Sequence, residues 1–265
     1  MPPRLTYSRP RSAINLKILF FIFLVALISC KKNDAGTTTG NLPPINAENN
    51  KAIGASAHDL LGAAKYYSET IEIQYMPGSE PDPASVNNLI SFLNSVSNKP
   101  GGIQVIQSEI EPVYKTALFS SDIATVEKKC RTVYTSGNHL GVYILYTDGT
   151  YAEGNNAGLA YRNTSMCLFG KTIHDNSVRI GQATRTKLET NVLEHEFGHL
   201  LGLVNMGSPM QTNHQDATHN THCINPNCLM YFKAETAEMM TSLVTGNIPT
   251  LDANCTADLR ANGGK

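Results

Sequence analysis

The sequence lacks three features that would assign it at once to a common class of protein. It has no run of basic residues after its first 17 positions, so a nucleic-acid partner is not expected. No internal repeat is apparent, which excludes an array of stacked repeats. The longest apolar stretch, Ile18–Ile28, is far shorter than the span of about 20 residues that a membrane helix needs. A globular chain with an N-terminal targeting segment remains.

Residues 1–29 are typical of a secretory signal peptide, because four basic residues and no acidic one accompany the short apolar stretch. The segment ends in Leu27-Ile28-Ser29-Cys30, which is similar to the lipobox of bacterial lipoproteins, where cleavage leaves the cysteine to carry lipid. An uncleaved membrane helix with Cys30 as an ordinary thiol is the alternative, and the length of the stretch disfavours it. In both cases we expect the rest of the chain to lie outside the cytoplasm. We expect it to be anchored to a bacterial membrane, which is the outer membrane in this interpretation.

Composition divides the remaining chain into a tether and one domain. Residues 30–53 are almost devoid of apolar side chains and are expected to form a flexible tether. Residues 54–265 are globular in composition and long enough for one domain with a sizeable core. Without the signal peptide, 17 basic and 22 acidic residues remain, so the exported part is mildly acidic.

Five cysteines follow Cys30, and an odd number cannot pair completely in an oxidising compartment. Cys223 and Cys228 are close enough along the chain to close a small disulfide loop. Cys130, Cys167 and Cys255 compete for the other pairing, and the sequence does not choose among them.

Hydrophobic periodicity predicts alternating strands and helices. In chain order these are a half-buried strand at Ile71–Tyr75, a helix from Asp82-Pro83, a strand at Ile103–Ile110, a helix capped by Ser121-Asp122 with a face from Ile123 to Val133, a doubly buried strand at Gly141–Tyr146, edge-like strands near Gly158–Tyr161 and Ser165–Ile173, a helix from about Thr184 to Leu203, and short helices around Ala234–Leu243 and Leu251–Leu259. In the last helix the stripe of Leu251, Cys255 and Leu259 is interpreted as core contact. The order favours an α+β domain, with a mixed, mostly parallel twisted sheet and a small irregular or helical C-terminal part.

The most informative segment is His-Glu-Phe-Gly-His-Leu-Leu-Gly at residues 195–202. His195 and His199 are four residues apart on the predicted helix, so both imidazoles leave the same face and can bind one zinc ion. Glu196 lies beside them, where it can reach a water on the metal without being a ligand. Gly202 follows where the helix must end, since glycine adopts the left-handed conformation cheaply. The alternative is an amphipathic helix with two surface histidines.

This motif, followed by a methionine in a tight turn, resembles the metzincin clan of zinc peptidases. The block that begins His222-Cys223 and ends Cys228-Leu229-Met230 is similar to a stretch of archaemetzincins that starts with their third zinc histidine, and its spacing also fits the matrixins. The resemblance implies a zincin fold with an active-site helix and a Met-turn at Met230. It also implies that an extended peptide substrate binds along a sheet edge, for which Gly158–Tyr161 is the candidate.

The third zinc ligand departs from the family pattern. It normally falls six residues after the second histidine, and that position is Asn205, whose amide oxygen is a poor zinc ligand. Either Asn205 has replaced the ligand in a weakened site, or about 17 residues are inserted and a later residue returns to the metal. Later donors are His214, Asp216, His219 and His222. His222 is preferred for its spacing to Met230, and His214 comes next.

Two further departures concern the cysteines and the tyrosine. Archaemetzincins carry a second zinc on four cysteines that include a late Cys-x-x-Cys pair, which this chain lacks, so one zinc per chain and a Cys223–Cys228 disulfide are expected. Astacin-like members have a tyrosine two residues after the Met-turn methionine. Here Phe232 holds that position and Tyr231 comes one residue early, so no oxyanion-stabilising tyrosine is assigned.

The sequence therefore predicts a lipid-anchored zinc endopeptidase that hydrolyses peptide bonds with Glu196 as the base. The alternative is a non-catalytic surface lipoprotein of the same fold that binds protein or metal, and Asn205 is the reason to keep it. A clan whose third ligand is a glutamate about twenty residues past the second histidine fits poorly, because His219 holds that position and Glu235 lies too far on.

Overall fold

The computed structural model describes residues 46–177, 183–235, 243–244 and 246–265. The predicted signal peptide, the predicted lipid attachment site Cys30 and most of the tether lie outside the described residues, as does most of the helix predicted around Ala234–Leu243. Among the described residues, no helix combines the length and the apolar character that crossing a membrane requires.

Six helices and seven strands are described, together with two short 3-10 helices at Ala47–Asn49 and Phe232–Glu235. They are α1 (Ala57–Leu61), β1 (Ser68–Tyr75), α2 (Pro83–Val96), β2 (Ile103–Glu109), β3 (Ala117–Leu118), α3 (Ser120–Cys130), β4 (His139–Thr147), β5 (Thr150–Tyr151), β6 (Gly158–Arg162), β7 (Ser165–Phe169), α4 (Gly170–Asp175), α5 (Arg185–Leu200) and α6 (Ala253–Ala261).

The central sheet has the strand order β2-β1-β4-β7-β6. The pairings β1–β2, β1–β4 and β4–β7 are parallel, and only the edge strand β6 runs antiparallel to its neighbour. A separate two-stranded sheet pairs β3 with β5. The prediction of a mixed, mostly parallel sheet with helices packed on it is therefore confirmed.

Two apolar clusters cover the two faces of this sheet. Along β4, the side chains of Val142 and Ile144 join the larger cluster, which includes the buried faces of α2 and α5. Tyr143 and Leu145 point to the opposite face and join a smaller cluster that includes α3. Alternation of side chains along a strand thus buries β4 on both faces, as predicted.

Strand β1 was predicted to be half-buried, and this is wrong, because both of its faces are covered. Its polar side chains find partners that the alternating pattern does not reveal. Glu72 accepts hydrogen bonds from the backbone N–H groups of Thr132 and Val133. Gln74 donates to the carbonyl oxygen of Cys130 at 2.8 Å. These bonds offset the cost of burying polar groups beneath the end of α3.

Several element ends differ from the predictions. Helix α3 begins at Ser120, before the predicted cap Ser121-Asp122, and Asp122 in its first turn accepts from the N–H of Phe119. The same helix ends at Cys130, so Val133 is not on its face. Strand β7 ends at Phe169 and Ile173 belongs to α4. Helix α5 ends at Leu200, three residues before the predicted end.

Residues 46–53 were assigned to the tether, yet they pack on the domain. Asn49 is fully buried, and its amide donates to Thr135 Oγ1, the Gly141 carbonyl oxygen and Thr164 Oγ1. Three hydrogen bonds on one buried side chain fix the segment against the start of β4. The folded part therefore extends N-terminal of residue 54.

Candidate metal centre

Helix α5 brings the two motif histidines together. Its first turn is capped by Thr184, whose hydroxyl accepts from the N–H of Lys187. His195 is fully buried and His199 is 6% exposed, and their Nε2 atoms are 3.2 Å apart. The Nδ1 atom of His195 lies 2.7 Å from the carbonyl oxygen of Leu229. A carbonyl can only accept, so Nδ1 carries the proton and Nε2 is left to bind a metal.

His222 is the third imidazole at this point. The ligand atoms of His195, His199 and His222 all lie within 4.8 Å of one another. The ring of His222 stacks on that of His195, with centroids 5.3 Å apart, and is edge-on to His199. Three imidazoles facing one point are the donor set of a catalytic zinc site that keeps a fourth position open. These three residues are called the imidazole group below.

The loop after α5 explains why His222 and not Asn205 reaches the pair. Gly202, Val204 and Asn205 all have positive φ angles, so the chain turns away directly after the helix. Asn205 is exposed as a result. The chain returns through Asp216, whose N–H donates to the carbonyl oxygen of His222, and His222 in turn donates its N–H to the carbonyl oxygen of His219.

The other candidate donors of this loop lie elsewhere. The ring of His219 stacks on Phe232 with centroids 3.7 Å apart. Asp216 accepts from the hydroxyl and the N–H of Thr218, and these bonds hold the pKa of Asp216 well below its usual range. His214 faces a different group of side chains, described below. Only His222 among the proposed third ligands joins the two histidines of α5.

Glu196 is a residue of α5, and its side chain faces the edge strand of the sheet. It is 1% exposed, and its Oε2 atom accepts a hydrogen bond of 2.7 Å from the N–H of Ala160 in β6. Glu196 is not one of the three imidazole donors, and its carboxylate faces the edge strand of the sheet.

Met230 lies in a tight turn beneath the helix. The N–H of Tyr231 donates to the carbonyl oxygen of Cys228, and Met230 is fully buried. A Cβ atom added to Gly198 would be 2.3 Å from the sulfur of Met230, so the methionine packs directly against the backbone of α5. The turn also positions the Leu229 carbonyl oxygen that orients His195.

A second set of possible metal ligands lies on the other side of the segment 222–230. Ligand atoms of His214, Cys223, Asp252 and Cys255 are within 4.8 Å of one another. The sulfur of Cys228 is 3.6 Å from that of Cys255. These five residues are called the thiol group below, and all except Asp252 are buried.

The thiol group has the electrostatics of a metal site. Hydrogen bonds from Cys223 and Cys255 lower the pKa of Cys228 to about 4, although burial acts against this. Hydrogen bonds to Cys223 and Cys228, together with burial, raise the pKa of Cys255. His214 places Nδ1 3.3 Å from the sulfur of Cys223 and Nε2 2.8 Å from Oδ2 of Asp258. A carboxylate behind an imidazole is the usual outer support of a metal-bound histidine.

Two expectations are corrected here. Cys223 and Cys228 are not bonded to each other, so the predicted disulfide is not formed, and no disulfide joins the other described cysteines, Cys130, Cys167 and Cys255. A second metal-binding group was not expected, since the chain lacks a late Cys-x-x-Cys pair. Asp252-Ala253-Asn254-Cys255 has the same spacing with an aspartate first, which is the signal that could have revealed it. Cys255 had been assigned to core packing or to a disulfide, and not to a metal.

The surroundings of the imidazole group contain an open strand and a cavity. The predicted substrate edge, Gly158–Tyr161, is indeed the last strand of the sheet. A cavity of about 660 Å³ opens beside the Met230 turn, with Asn227, Tyr231 and Lys233 among its lining residues.

Comparison with known proteins finds no matching protein-family model and no matching curated protein. Among solved structures, the chain is similar to an archaemetzincin from Methanopyrus kandleri, with 15% identity and a TM-score of 0.43 over 74% of this chain and 96% of that one. It is also similar to metalloproteinase-II from Bacteroides fragilis, with 15% identity and a TM-score of 0.43 over 83% of this chain and 58% of that one.

Proposed function

We propose that this chain is a zinc-dependent endopeptidase of metzincin type. One observation carries the proposal: three imidazoles converge on one point, and Glu196, the residue after His195, holds its buried carboxylate against the edge strand β6 without being one of the donors. Nitrogen donors of this kind suit zinc, and a set of three leaves room for water and substrate. A site that served only to store metal would have no use for a buried base next to it.

When bound, zinc would supply Lewis acidity, which lowers the pKa of a water molecule towards 7 (roughly) and polarises the scissile carbonyl group. His195 is oriented for this role by the Leu229 carbonyl oxygen, which accepts its Nδ1 proton. Glu196 accepts the proton of the attacking water as the water oxygen bonds to the carbonyl carbon. It then returns the proton to the amine nitrogen as the C–N bond breaks.

The substrate is an extended peptide in this proposal. An edge strand offers backbone donors and acceptors to a peptide that pairs with it, and β6 is such a strand beside Glu196. The cavity next to Tyr231 is large enough to receive one substrate side chain. In this proposal the cavity selects peptides by the size of that side chain.

The thiol group supports a second, structural metal. His214, Cys223 and Cys255 supply three donors, and Cys228 or Asp252 can complete a closed set of four. Thiolates and a carboxylate-supported imidazole fit zinc, and the burial of the group leaves no open position for a substrate. We therefore expect two zinc ions per chain where the sequence predicted one.

The location outside the cytoplasm remains part of the proposal. Cys30 would carry lipid after signal cleavage, and residues 31–45 would link it to the packed segment that begins at Asn46. Cys30→Ser should move the protein from the membrane fraction to the soluble exported fraction without changing its zinc content. Membrane retention of that variant would contradict the lipid anchor.

The alternative of a non-catalytic lipoprotein was kept because Asn205 stands where the family has its third zinc ligand. Asn205 is exposed and His222 takes part in the imidazole group, so the specific reason for that alternative no longer holds.

Glu196→Gln tests the proposal directly. The variant should keep the zinc content of the wild type and lose peptide cleavage by about 10²- to 10⁴-fold, since only the base is removed. Zinc is measured by atomic absorption and cleavage on a broad peptide mixture by mass spectrometry. Glu194→Gln, one residue before His195 and on the same helix, is the matched control and should cleave like the wild type. Equal cleavage by wild type and Glu196→Gln would refute the mechanism.

A further inference from the structure

The open edge of the five-stranded sheet holds the carboxylate of Glu196. β6 pairs with β7 on one side only. The N–H of Ala160 donates to Oε2 of Glu196 at 2.7 Å, so this donor serves a side chain of α5 and not the ladder between β6 and β7. A backbone donor on a paired strand is rigid, and a charge-assisted bond of this length is among the stronger ones.

Gly158, two residues earlier, faces the same side chain. A Cβ atom built on it would be 2.7 Å from Cγ and 2.8 Å from Oε1 of Glu196. The same Cβ atom would be 2.6 Å from Cγ1 of Val192, so Glu196 and Val192 of α5 together occupy the place that a side chain at position 158 would need. The requirement for glycine is steric, because the backbone of Gly158 is not in the left-handed region.

Both contacts come from a strand that is itself fixed at its far end. Arg162, the last residue of β6, donates to Glu127 of α3 at 2.5 Å. Glu127 is fully buried and also binds Arg131 at 2.7 Å. The edge strand is therefore held from behind, and its position relative to α5 does not depend on Glu196.

We propose that β6 positions the base of the reaction: the Ala160 N–H fixes one carboxylate oxygen, and the missing side chain of Gly158 makes the room in which the carboxylate lies. This inference rests on the proposed peptidase function. A glutamate on a helix has three side-chain torsions, and these two contacts select the arrangement that keeps its carboxylate at the substrate edge. Displacement of a reacting group by about 1 Å can reduce a rate about 100-fold, which gives Gly158 and Ala160 a kinetic role.

Two substitutions remove one contact each in the zinc-loaded full-length protein. Gly158→Ala places a methyl group where the carboxylate lies. Ala160→Pro removes the N–H, and an edge strand tolerates proline where its N–H faces away from the ladder. Gly154→Ala adds the same methyl group in the preceding loop, where the nearest atom is the movable Asn156 side chain at 3.1 Å. Gly154→Ala is therefore the matched control.

We expect kcat on a fluorogenic peptide to fall about 100-fold in Gly158→Ala and in Ala160→Pro, with KM and zinc content as in the wild type. The Gly154→Ala control should keep the wild-type kcat. A merely structural role would lower zinc content, thermal stability and kcat together. Wild-type kcat in both test variants would overturn the inference.

A second measurement does not depend on activity or on altering the strand. The amide of Ala160 is followed by nuclear magnetic resonance in the wild type and in Glu196→Ala, with zinc bound. Loss of the carboxylate should speed hydrogen exchange at this amide about tenfold, as expected for the loss of one hydrogen bond, while the neighbouring amide of Leu159 stays unchanged. An unchanged Ala160 amide would overturn the inference, whatever the activity of the variants. If the zinc-loaded wild type cleaves no peptide, the proposed function fails, and this amide still decides whether β6 holds Glu196.

Discussion

The imidazole group and the thiol group share one short segment of chain, and adjacent residues of that segment belong to different groups. His222 faces the two histidines of α5, whereas Cys223 faces Cys255 and His214. The N–H of Cys223 donates to the carbonyl oxygen of Met230, which closes the segment into a loop between the groups. The side chains of two consecutive residues, His222 and Cys223, thus belong to two groups with different donor atoms.

The donors and their surroundings distinguish the groups. The imidazole group has nitrogen donors, a partly exposed member in His222 and a carboxylate base next to it in Glu196. The thiol group has sulfur donors, is almost wholly buried, and its nearby carboxylate, Asp258, supports a ligand from behind. An open nitrogen site suits catalysis and a closed sulfur site suits stability. The predictions below test this division.

Cys223→Ser should have the largest effect on stability. It removes a donor of the thiol group, so one zinc per chain is lost, together with its binding free energy, which is also folding free energy. We expect the free energy of unfolding to fall by about 4 kcal/mol or more with zinc present. Calorimetry and metal analysis measure both quantities. Cys167→Ser, a buried thiol outside the group, is the control and should keep both metals. A Cys223→Ser protein with two zinc ions and unchanged stability would contradict the division.

His222→Ala, one residue earlier, should behave in the opposite way. It removes the third imidazole, so the other zinc is lost and peptide cleavage falls to background, while the unfolding free energy of the metal-free protein changes by less than about 1 kcal/mol. His219→Ala, which alters a histidine of the same loop stacked on Phe232, should keep both zinc ions and cleavage. Retention of cleavage by His222→Ala would show that another donor completes the site.

The sequence predicted the local elements well and their burial less well. The helical spacing behind α2 and α5 and the apolar run of β4 are properties of neighbouring residues, so they are visible without a fold. The burial of β1 was missed because Glu72 is satisfied by N–H groups about 60 residues further along the chain. No pattern within a strand reports such a partner.

The same distinction applies to the metal ligands. His195, Glu196 and His199 are placed by one helical turn, and the four-residue spacing alone brings the two imidazoles together. His214 and Cys255 approach each other only because the loop after α5 folds back against α6, a separation of 41 residues. The spacing of His222 to Met230 resembles known motifs, and this resemblance predicted His222 as a ligand. No spacing in the sequence predicts that His214 lies beside Cys223 and Cys255.

Gly198→Ala tests how tightly the helix and the turn below it are packed. Its new methyl group would meet the sulfur of Met230, which is buried with no free space around it. We expect a loss of about 1 to 3 kcal/mol in unfolding free energy and weaker zinc binding at the imidazole group only. The double variant Gly198→Ala/Met230→Ala should bind zinc at that group more tightly than Gly198→Ala alone, because it restores the space. If the two substitutions act independently, the contact does not support the site.

Asp258→Asn is expected to have the smallest and most selective effect. Burial lowers the pKa of His214, but hydrogen bonds to Asp258 and Cys223 outweigh it and leave the pKa raised. In the metal-free protein the charged pair therefore stabilises the fold below the ordinary histidine pKa of about 6.5, and this contribution disappears as the pH rises through the raised value. Asp258→Asn should thus destabilise the metal-free protein more at pH 5.5 (roughly) than at pH 8.5.

With metal bound, the same carboxylate orients a neutral imidazole, so Asp258→Asn should weaken zinc binding at the thiol group about 10- to 100-fold and leave the imidazole group unchanged. Chelator competition at a fixed pH of about 7.5, where the histidine is largely deprotonated in the unfolded chain, measures the two affinities separately. Asp216→Asn, which alters the half-buried carboxylate beside His219, is the control and should change neither affinity. An equal loss at both groups would mean that the segment between them transmits the disturbance, and the two centres would then have to be treated as one cooperative unit.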